Sequence, residues 1–404
     1  MSHVVIVGAG PAGASLSYLL AHRGIEVTLL ERRRDFAREF RGEILMPSGI
    51  EALQEMGLTE TFDSVASFTL QTIAVYMNGR QLLDEALQGD FLNDKPPMAI
   101  SQPALLEALI DKASASPHFH FKRGVSVKEL LSENGRIAGV RLHSDEEGEQ
   151  ELAADLIIGA DGRNSVVRKN IGLSATEQSP PMDIVWCKLP CPTGWNGVRA
   201  YVGRGHLLVA YHTWDDTLQL GWVILKGTFG KLRDRGIDQW VDEMAHHVTP
   251  ELAAHLRANA ASVQKPFLLS VVSDCVDSWS VPGALLIGDA AHTMSPVGGQ
   301  GLNIALRDAI VAANHLVPVL NAPVVDQTEL TRATHSIETE RMVEVQHIQN
   351  MQAQPPKLLL SRAWWGEPLR RIAAVALSSN FVRGRATGRV AAFSLGVTDV
   401  HLSV

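Results

Sequence analysis

Cysteine is scarce in this chain. Three in 404 residues, Cys187, Cys191 and Cys275, cannot all pair, and so few predict a reducing compartment rather than a disulfide scaffold. Cys187 and Cys191 fall on one face of a predicted strand, but no further ligand cluster accompanies them, so no metal site is expected. Excess positive charge is also missing. Lys and Arg number 36 against 44 Asp and Glu, a net charge of -8, which argues against nucleic acid as a partner. No apolar run reaches the roughly eighteen residues of a membrane-spanning helix. The N-terminal apolar run is broken by glycines and followed by no cleavage-site pattern, so it reads as a fold element and not a signal peptide. There is no internal repeat and no low-complexity tract. The expectation is a soluble, cytoplasmic chain. Hydrophobic residues make up 46% of it, ample for a large core and two or three domains.

What is present begins at the N-terminus. His3-Val-Val-Ile-Val7 is a short β-branched run of the kind that forms a buried strand. Gly8-Ala-Gly10-Pro-Ala-Gly13 follows at once. Its glycines suit a tight turn, close approach of a pyrophosphate, and close packing of the next helix on the strand. Pro11 fits the first helical position, where no amide hydrogen is needed, and Ala12 completes the turn. Leu16, Leu19 and Leu20 form a helical stripe that Gly24 ends. Ile25 to Leu30 reads as a second strand, closed by Glu31. An acid about twenty residues beyond such glycines accepts hydrogen bonds from an adenosine ribose and repels a 2′-phosphate. Strand, turn, helix, strand and acid in register predict an ADP-binding βαβ unit, for FAD or NAD and not NADP. Arg32-Arg33-Arg34 lies just past the acid, either as a solvated loop or as a neighbour of the dinucleotide, with Arg32 the candidate contact.

Ser48 reads as the N-cap of a helix from Gly49 to Met56. Thr72 to Tyr76 alternates like a strand, and Asn78-Gly79 is a hairpin signal. A helix is expected through Leu105, Leu106, Leu109 and Ile110. Strands follow at 118–122, 125–131 and 136–143, and Asp145 to Glu149 is a solvated turn. Ala154 to Ser165 reads as a buried strand running into a turn and a helix start. Strands then succeed one another without helices, at 183–189, 198–203, 206–213 and 217–225, as in an antiparallel sheet. Helices are expected near 236–247 and 250–257, strand-like sequence at 267–274, and a mostly helical remainder from about 327 with a break at Pro355-Pro356. The order predicts an α/β fold with an α+β insertion: a discontinuous Rossmann-type nucleotide domain (1–70, 98–182 and 268–326), an inserted antiparallel-sheet substrate domain (71–97 and 183–267), and a helical C-terminal region (327–404).

Residues 283–303 separate FAD from NAD. The strand Ala284-Leu-Leu-Ile-Gly288 ends in Asp289, a carboxylate suited to the hydroxyls of a sugar-like chain. A glycine-rich loop then opens into a helix at Leu302. Helix N-termini favour negative charge. A reduced isoalloxazine carries such charge along its N1–C2=O edge, and a nicotinamide does not.

Three motifs, GAGPAG (8–13), GADGRNSVVR (159–168) and GDAAHTMSPVGGQGLNIALRDA (288–309), resemble those of the class A flavoprotein monooxygenases, the para-hydroxybenzoate hydroxylase-like family. The resemblance implies one FAD, with NADH or NADPH drawn from solution without a second Rossmann domain. It implies O2 as co-substrate, a flavin C4a-hydroperoxide, and oxygen transfer to an electron-rich, aromatic small molecule by hydroxylation or epoxidation. It assigns Gly8, Gly10, Pro11, Ala12, Gly13, Glu31 and Arg32 to the ADP half, and Asp289 to the ribityl-pyrophosphate region. Pro296, Gly299, Gly301, Leu302 and Asn303 fall to the flavin pyrimidine edge, and Asp161 and Gly162 to FAD and NAD(P)H handling. Arg41, Gln102 and Val125 match further cofactor-binding positions, although many members carry arginine where Gln102 stands. His292 is either a flavin or substrate contact or a satisfied structural histidine. Tyr201 occupies the place where aromatic hydroxylases of this family put a tyrosine that bonds the substrate oxygen, which makes it the candidate catalytic residue. Strand alternation sets Arg199, Tyr201 and Gly203 on one face, read as facing a cavity or solvent. The alternative readings are a geranylgeranyl reductase-like enzyme, a flavin-dependent halogenase, whose Trp-x-Trp-x-Ile-Pro motif is missing, and a FAD-containing scaffold without turnover. Ala363-Trp-Trp365 and Leu369 to Leu377 read as packing on the nucleotide domain or as a membrane or dimer surface. The expected assembly is a monomer or homodimer. No motif reports the substrate.

Overall fold

The computed structural model describes residues 2–37, 43–87, 89, 92–177, 179–203, 206–234, 236–263, 266–359 and 393–404. Arg41, Ala363 to Trp365 and Leu369 to Leu377 lie outside the described residues.

The N-terminal βαβ unit seeds a six-stranded sheet in the order Ser280–Val281, Ala284–Leu286, Leu156–Gly159, His3–Val7, Glu26–Glu31, Phe119–Arg123. All neighbours are parallel except the first pair. The strand His3–Val7 is central and buried almost throughout, which is why its sequence is a continuous apolar run and not an alternating one. The helix Pro11–Ala21 packs between Gln102–Ser114 and Gln300–Leu320. A three-stranded meander, Val125–Glu133, Arg136–Ser144 and Gly148–Ala153, flanks this domain close to the expected positions.

The second large sheet has seven strands in the order Phe267–Ser270, Met182–Pro190, Thr217–Leu225, His206–His212, Gly197–Gly203, Thr72–Met77, Arg80–Ala86. Its hairpin turns at Asn78 and Gly79, both with positive φ (47° and 78°), as a tight primed turn requires. This hairpin joins the sheet by pairing Thr72–Met77 parallel to Gly197–Gly203, so the sheet is mixed where a purely antiparallel one was expected.

The two faces of this sheet are covered differently. Helices Ile237–Ala245 and Pro250–Ala258 cover one, where Cys187, Tyr201, Leu220 and Trp222 pack with Trp240 and Leu256. The other face turns toward the nucleotide domain. There Trp186, Val198, Val209 and Tyr211 meet Ile44 and Phe68, and Leu207, Val223 and Leu225 meet Val297.

Several local expectations are corrected. The second helix is Pro47–Glu55 with Met46 as its N-cap. Ser48 lies inside it, because Pro47 has the fixed φ that suits the first helical position. The strand-like stretch at 267–274 splits into Phe267–Ser270 and Asp274–Val276. The Asp183 carboxylate accepts the Val271 amide at 3.3 Å where the first piece ends. The long helix begins at Gln300 and not at Leu302. The last helix, Gln327–Leu359, runs through Pro355 and Pro356, which stand in its final turns. No helix among the described residues is long and apolar enough to cross a membrane.

Candidate active site

Three adjacent parallel strands, His3–Val7, Leu156–Gly159 and Ala284–Leu286, end side by side and carry the three motifs to one edge of the sheet. The glycines of the first motif do separate jobs. Gly8 has φ +103°, and a Cβ on it would lie 2.5 Å from the Ala160 carbonyl oxygen. A Cβ on Gly13 would lie 2.0 Å from the Gly8 carbonyl oxygen, so Gly13 is needed for helix-to-strand packing. A Cβ on Gly10 would meet nothing nearer than the Ala160 oxygen at 4.0 Å. The helix that follows has Gly10 as N-cap and Pro11 in its first turn. Ala12 packs on the third motif, its Cβ 3.2 Å from where a Cβ on Gly288 would stand.

Glu31 ends its strand 5% exposed. Its carboxylate accepts the Ala9 amide at 3.0 Å and the Arg33 amide at 2.9 Å, which sets it against the glycine turn. Arg32 is exposed. Arg34 pairs with Asp145 at 3.2 Å on the surface, so this part of the basic cluster lies against the meander tip. Val125 is buried at the start of the meander, and Gln102 is buried in the first turn of its helix.

The second motif is tied to the third. Asp161 accepts the Val166 amide at 2.6 Å and the Val167 amide at 3.3 Å through one oxygen, while its other oxygen is buried without a hydrogen-bond partner. Burial raises the Asp161 carboxyl above its ordinary range and outweighs those hydrogen bonds. Gly162 turns the chain at φ +80°. Arg163 then donates to Asp289 at 3.4 Å. Asp289 stands in the single turn Gly288–Ala290 with its side chain one-third exposed.

The loop from Pro296 ends in two left-handed glycines, Gly298 and Gly299 (φ 76° and 63°). Gly299 is the N-cap of Gln300–Leu320. A Cβ on Gly301 would meet nothing within 4 Å, so there is open space beside the first turn of this helix. Leu302 and Asn303 are buried. The Asn303 side chain is wholly engaged within the protein: it accepts the Met46 amide at 2.8 Å and donates to the Gly299 carbonyl at 2.8 Å. A late segment also holds the loop, since Gln300 donates to the Phe393 carbonyl at 2.6 Å.

Beneath the loop lies a charge network that sequence reasoning missed. His292 bonds Asp308 at 2.8 Å, Arg341 bonds Asp308 at 2.8 Å and Glu344 at 2.6 Å, and Arg307 bonds Glu344 at 3.0 Å. Burial alone would raise the Asp308 carboxyl, but His292 and Arg341 outweigh it and bring it down to about 2. His292 is thus a structural partner of this network, packed on Trp279. In the sequence His292, Arg307 and Asp308 lie in the third motif and Arg341 and Glu344 at helical spacing, but nothing there joins the two groups.

Tyr201 is not where alternation suggested. Its ring stacks on Tyr76 at 4.9 Å, inside the helix-covered core and 1% exposed. Both faces of the sheet are covered, so an apolar face could not mark which side was the core. The side chains on the face toward the 296–299 loop include Trp186, Lys188, Val209, Tyr211 and Gln219, none of which the sequence singled out.

The residues at the strand ends fit a bound FAD: a glycine turn open at Gly10, a strand-end acid at Glu31, a second carboxylate at Asp289, and a helix start with open space at Gly301. The comparisons agree. A family model described as FAD binding domain matches residues 1–337. The 6-methylpretetramide 4-monooxygenase of Streptomyces rimosus is 32% identical over 380 residues, covering 93% of this chain and 88% of that protein. Squalene epoxidase 3 of Arabidopsis thaliana is 27% identical over 334 residues, 79% of this chain but 60% of that protein's length. The crystal structure of p-nitrophenol 4-monooxygenase PnpA from Pseudomonas putida DLL-E4 shares the fold, with a TM-score of 0.81 at 17% identity over 99% of this chain and 100% of that one. With motifs, geometry and relatives in agreement, the chain belongs to the class A flavoprotein monooxygenases and is a FAD-dependent monooxygenase.

Proposed function

We propose that this enzyme hydroxylates a flat, electron-rich aromatic substrate, with NADH or NADPH as the reductant drawn from solution. The observation that carries this reading is the sheet face opposite the flavin loop. Trp186 lies across Gly221, where a Cβ would stand 2.6 Å from the indole, and Val297 of the loop packs toward the same cluster. The part of the face around Trp186 and Val209 suits a planar ring. The relative named for 6-methylpretetramide supports the same choice. Residues 71–97 and 183–267 serve here as the substrate domain, and 1–70, 98–182 and 268–326 as the FAD domain. Three unpaired cysteines suit a cytoplasmic setting.

FAD, when bound, stores the electrons and activates oxygen. The chain positions it. Gly8 to Gly13 and Glu31 hold the ADP half, and Asp289 takes the hydroxyls of the flavin side chain. The start of Gln300–Leu320 places amides and a helix dipole where negative charge develops. Asp161 and Gly162 shape the edge between the first and third motifs, and Arg163 orients Asp289. The apolar face of the sheet excludes water from the reacting ring.

The test is turnover of a phenol panel with NADH and NADPH under labelled oxygen. One labelled atom should appear in the product, and reductant should drain slowly to peroxide without substrate. Product formed without oxygen would overturn the reading in favour of an alkene reductase.

A further inference from the structure

The sheet offers the flavin loop a row of polar side chains. Lys188 pairs with Gln219, and Gln219 with Tyr211, on three adjacent strands. All three residues are buried. Glu43 approaches this row from the nucleotide domain. Its carbonyl accepts the Ile100 amide at 2.7 Å, and the residues just after it are bound to Asn303 at the start of the flavin helix. The Glu43 carboxylate lies 3.7 Å from Lys188 Nζ, and Lys188 also donates to Asp215 at 3.1 Å.

Gln219 Oε1 is buried and accepts no hydrogen bond, and the buried Glu43 Oε2 has the Lys188 ammonium only at 3.7 Å, beyond hydrogen-bond distance. Orphaned buried acceptors are costly and rare, and they call for a partner. In the neighbouring register row Trp186 and Val209 flank Gly221. Trp186, Val209 and the nearby Leu207 are only half-buried although they stand on the inner face, so the face is open beside the row. Burial pushes the Glu43 carboxyl up to about 7, against the pull of Lys188 and with a push from Asp215. Tyr211 is held well above its ordinary range, by burial first and by Glu43 second.

We propose that Glu43, Lys188, Gln219 and Tyr211 recognise adjacent oxygen substituents on a planar phenolic substrate, with Glu43 accepting the phenol proton. This rests on the hydroxylase reading above. The step balances simply. The substrate O–H bond breaks, its electron pair stays on the phenol oxygen, and the proton goes to Glu43 Oε2. The negative charge moves from Glu43 to the substrate oxygen, so Lys188 keeps an anionic neighbour and the cluster keeps its net charge. The ionised ring is richer in electrons at the carbons beside and opposite the oxygen, where oxygen transfer takes place. A phenol hydroxyl beside a carbonyl fits best, because the row holds both acceptors (Glu43, Gln219) and donors (Lys188, Tyr211).

The experiment uses the FAD-loaded enzyme and two probes: an acetonaphthone with a hydroxyl beside its ketone, and the parent acetonaphthone without the hydroxyl. Binding is read from the flavin spectrum, and probe ionisation from its phenolate band. The wild type should prefer the hydroxylated probe by about ten- to a hundredfold. Glu43 accepts a proton only when ionised, so the phenolate band of the bound probe should grow as pH rises through about 7. Glu43→Gln should keep its FAD, lose most of the preference, and show phenolate only where the free probe ionises. Glu43→Asp should restore part of the titration. Gln219→Leu should weaken the preference and leave the titration in place. An unchanged titration in Glu43→Gln overturns the proposal, as does a wild type that treats the two probes alike or binds neither. Loss of FAD from Glu43→Gln would make Glu43 a cofactor-site residue and overturn it equally. Labelled oxygen in the product alongside an unchanged titration would sink the proton acceptor and leave hydroxylation standing.

Discussion

Asn303 joins Met46 to Gly299: its side chain accepts the amide of the first at 2.8 Å and donates to the carbonyl of the second at 2.8 Å. One fully buried amide thereby fastens the loop ending at Gly299 to the segment around the strand Ile44–Leu45, just after Glu43. Asn303→Ala removes both bonds and should cost about 1–3 kcal/mol. The expected result is a lower melting temperature together with weaker FAD binding in a fluorescence titration. Unchanged values for both would show that the loop is held by other contacts.

Gly10 and Gly13 should fail in different ways. A side chain at Gly10 enters open space and would occupy the pyrophosphate position, whereas one at Gly13 would strike the Gly8 carbonyl. Gly10→Val should therefore give folded, colourless protein whose melting temperature matches the flavin-free wild type. Gly13→Val should lose flavin and fold together. A yellow Gly10→Val protein would remove the pyrophosphate from this turn.

Asp289 is one-third exposed and held by Arg163. Asp289→Ala should weaken FAD binding by about 1.5–3 kcal/mol, the range of a charge-assisted hydrogen bond, with the core intact by circular dichroism. Arg163→Ala should weaken it less, because it only orients the carboxylate. Equal effects from the two variants would mean that the pair acts as one unit.

Tyr201→Phe should behave like the wild type in coupling and in substrate affinity. The hydroxyl is buried without a hydrogen-bond partner on the sheet face away from the flavin loop, so its loss should leave stability unchanged or slightly raised. Peroxide in place of product from this variant would return Tyr201 to the active site.

The network under the loop should dominate acid stability. Arg341 is fully buried between Asp308 and Glu344, so Arg341→Met leaves Asp308 to His292 and Glu344 to Arg307 and should cost about 3–5 kcal/mol. The Asp308 carboxyl sits at about 2, below its unfolded value. Its contribution is therefore present above about pH 4 and is lost as pH falls toward 2. In Arg341→Met the acid unfolding midpoint should move to higher pH, read by tryptophan fluorescence. An unmoved midpoint would count against this account.

The nucleotide half was legible because its demands are local. The GxGxxG spacing and the positive φ of Gly8 are carried within six residues, as is the approach of Gly13 to the Gly8 carbonyl, and Glu31 follows from the length of one βαβ unit. The substrate side was not legible in that way. Whether Tyr201 or Tyr211 faces the flavin loop depends on which face the helices Ile237–Ala245 and Pro250–Ala258 cover, and both faces are apolar. The row of Lys188, Gln219 and Tyr211 exists only through strand register. Glu43, in a segment read merely as a lead-in to a helix, gains its meaning from Lys188, far along the chain. Ser48 misled because a good capping residue next to Pro47 yields to the fixed φ of the proline.

The separation of the three motifs along the chain bears on how the enzyme is made. The first motif and Glu31 are complete once residues 3–31 have left the ribosome, but Asp289 and the start of the helix Gln300–Leu320 come only with residues 288–303. The strand Ala284–Leu286 must then find its place beside Leu156–Gly159, after five of the seven strands of the large sheet, from Met182–Pro190 to Phe267–Ser270, have been synthesised between them. The cofactor, by bridging the early and late pieces, can bind tightly only to a chain whose two halves have already met.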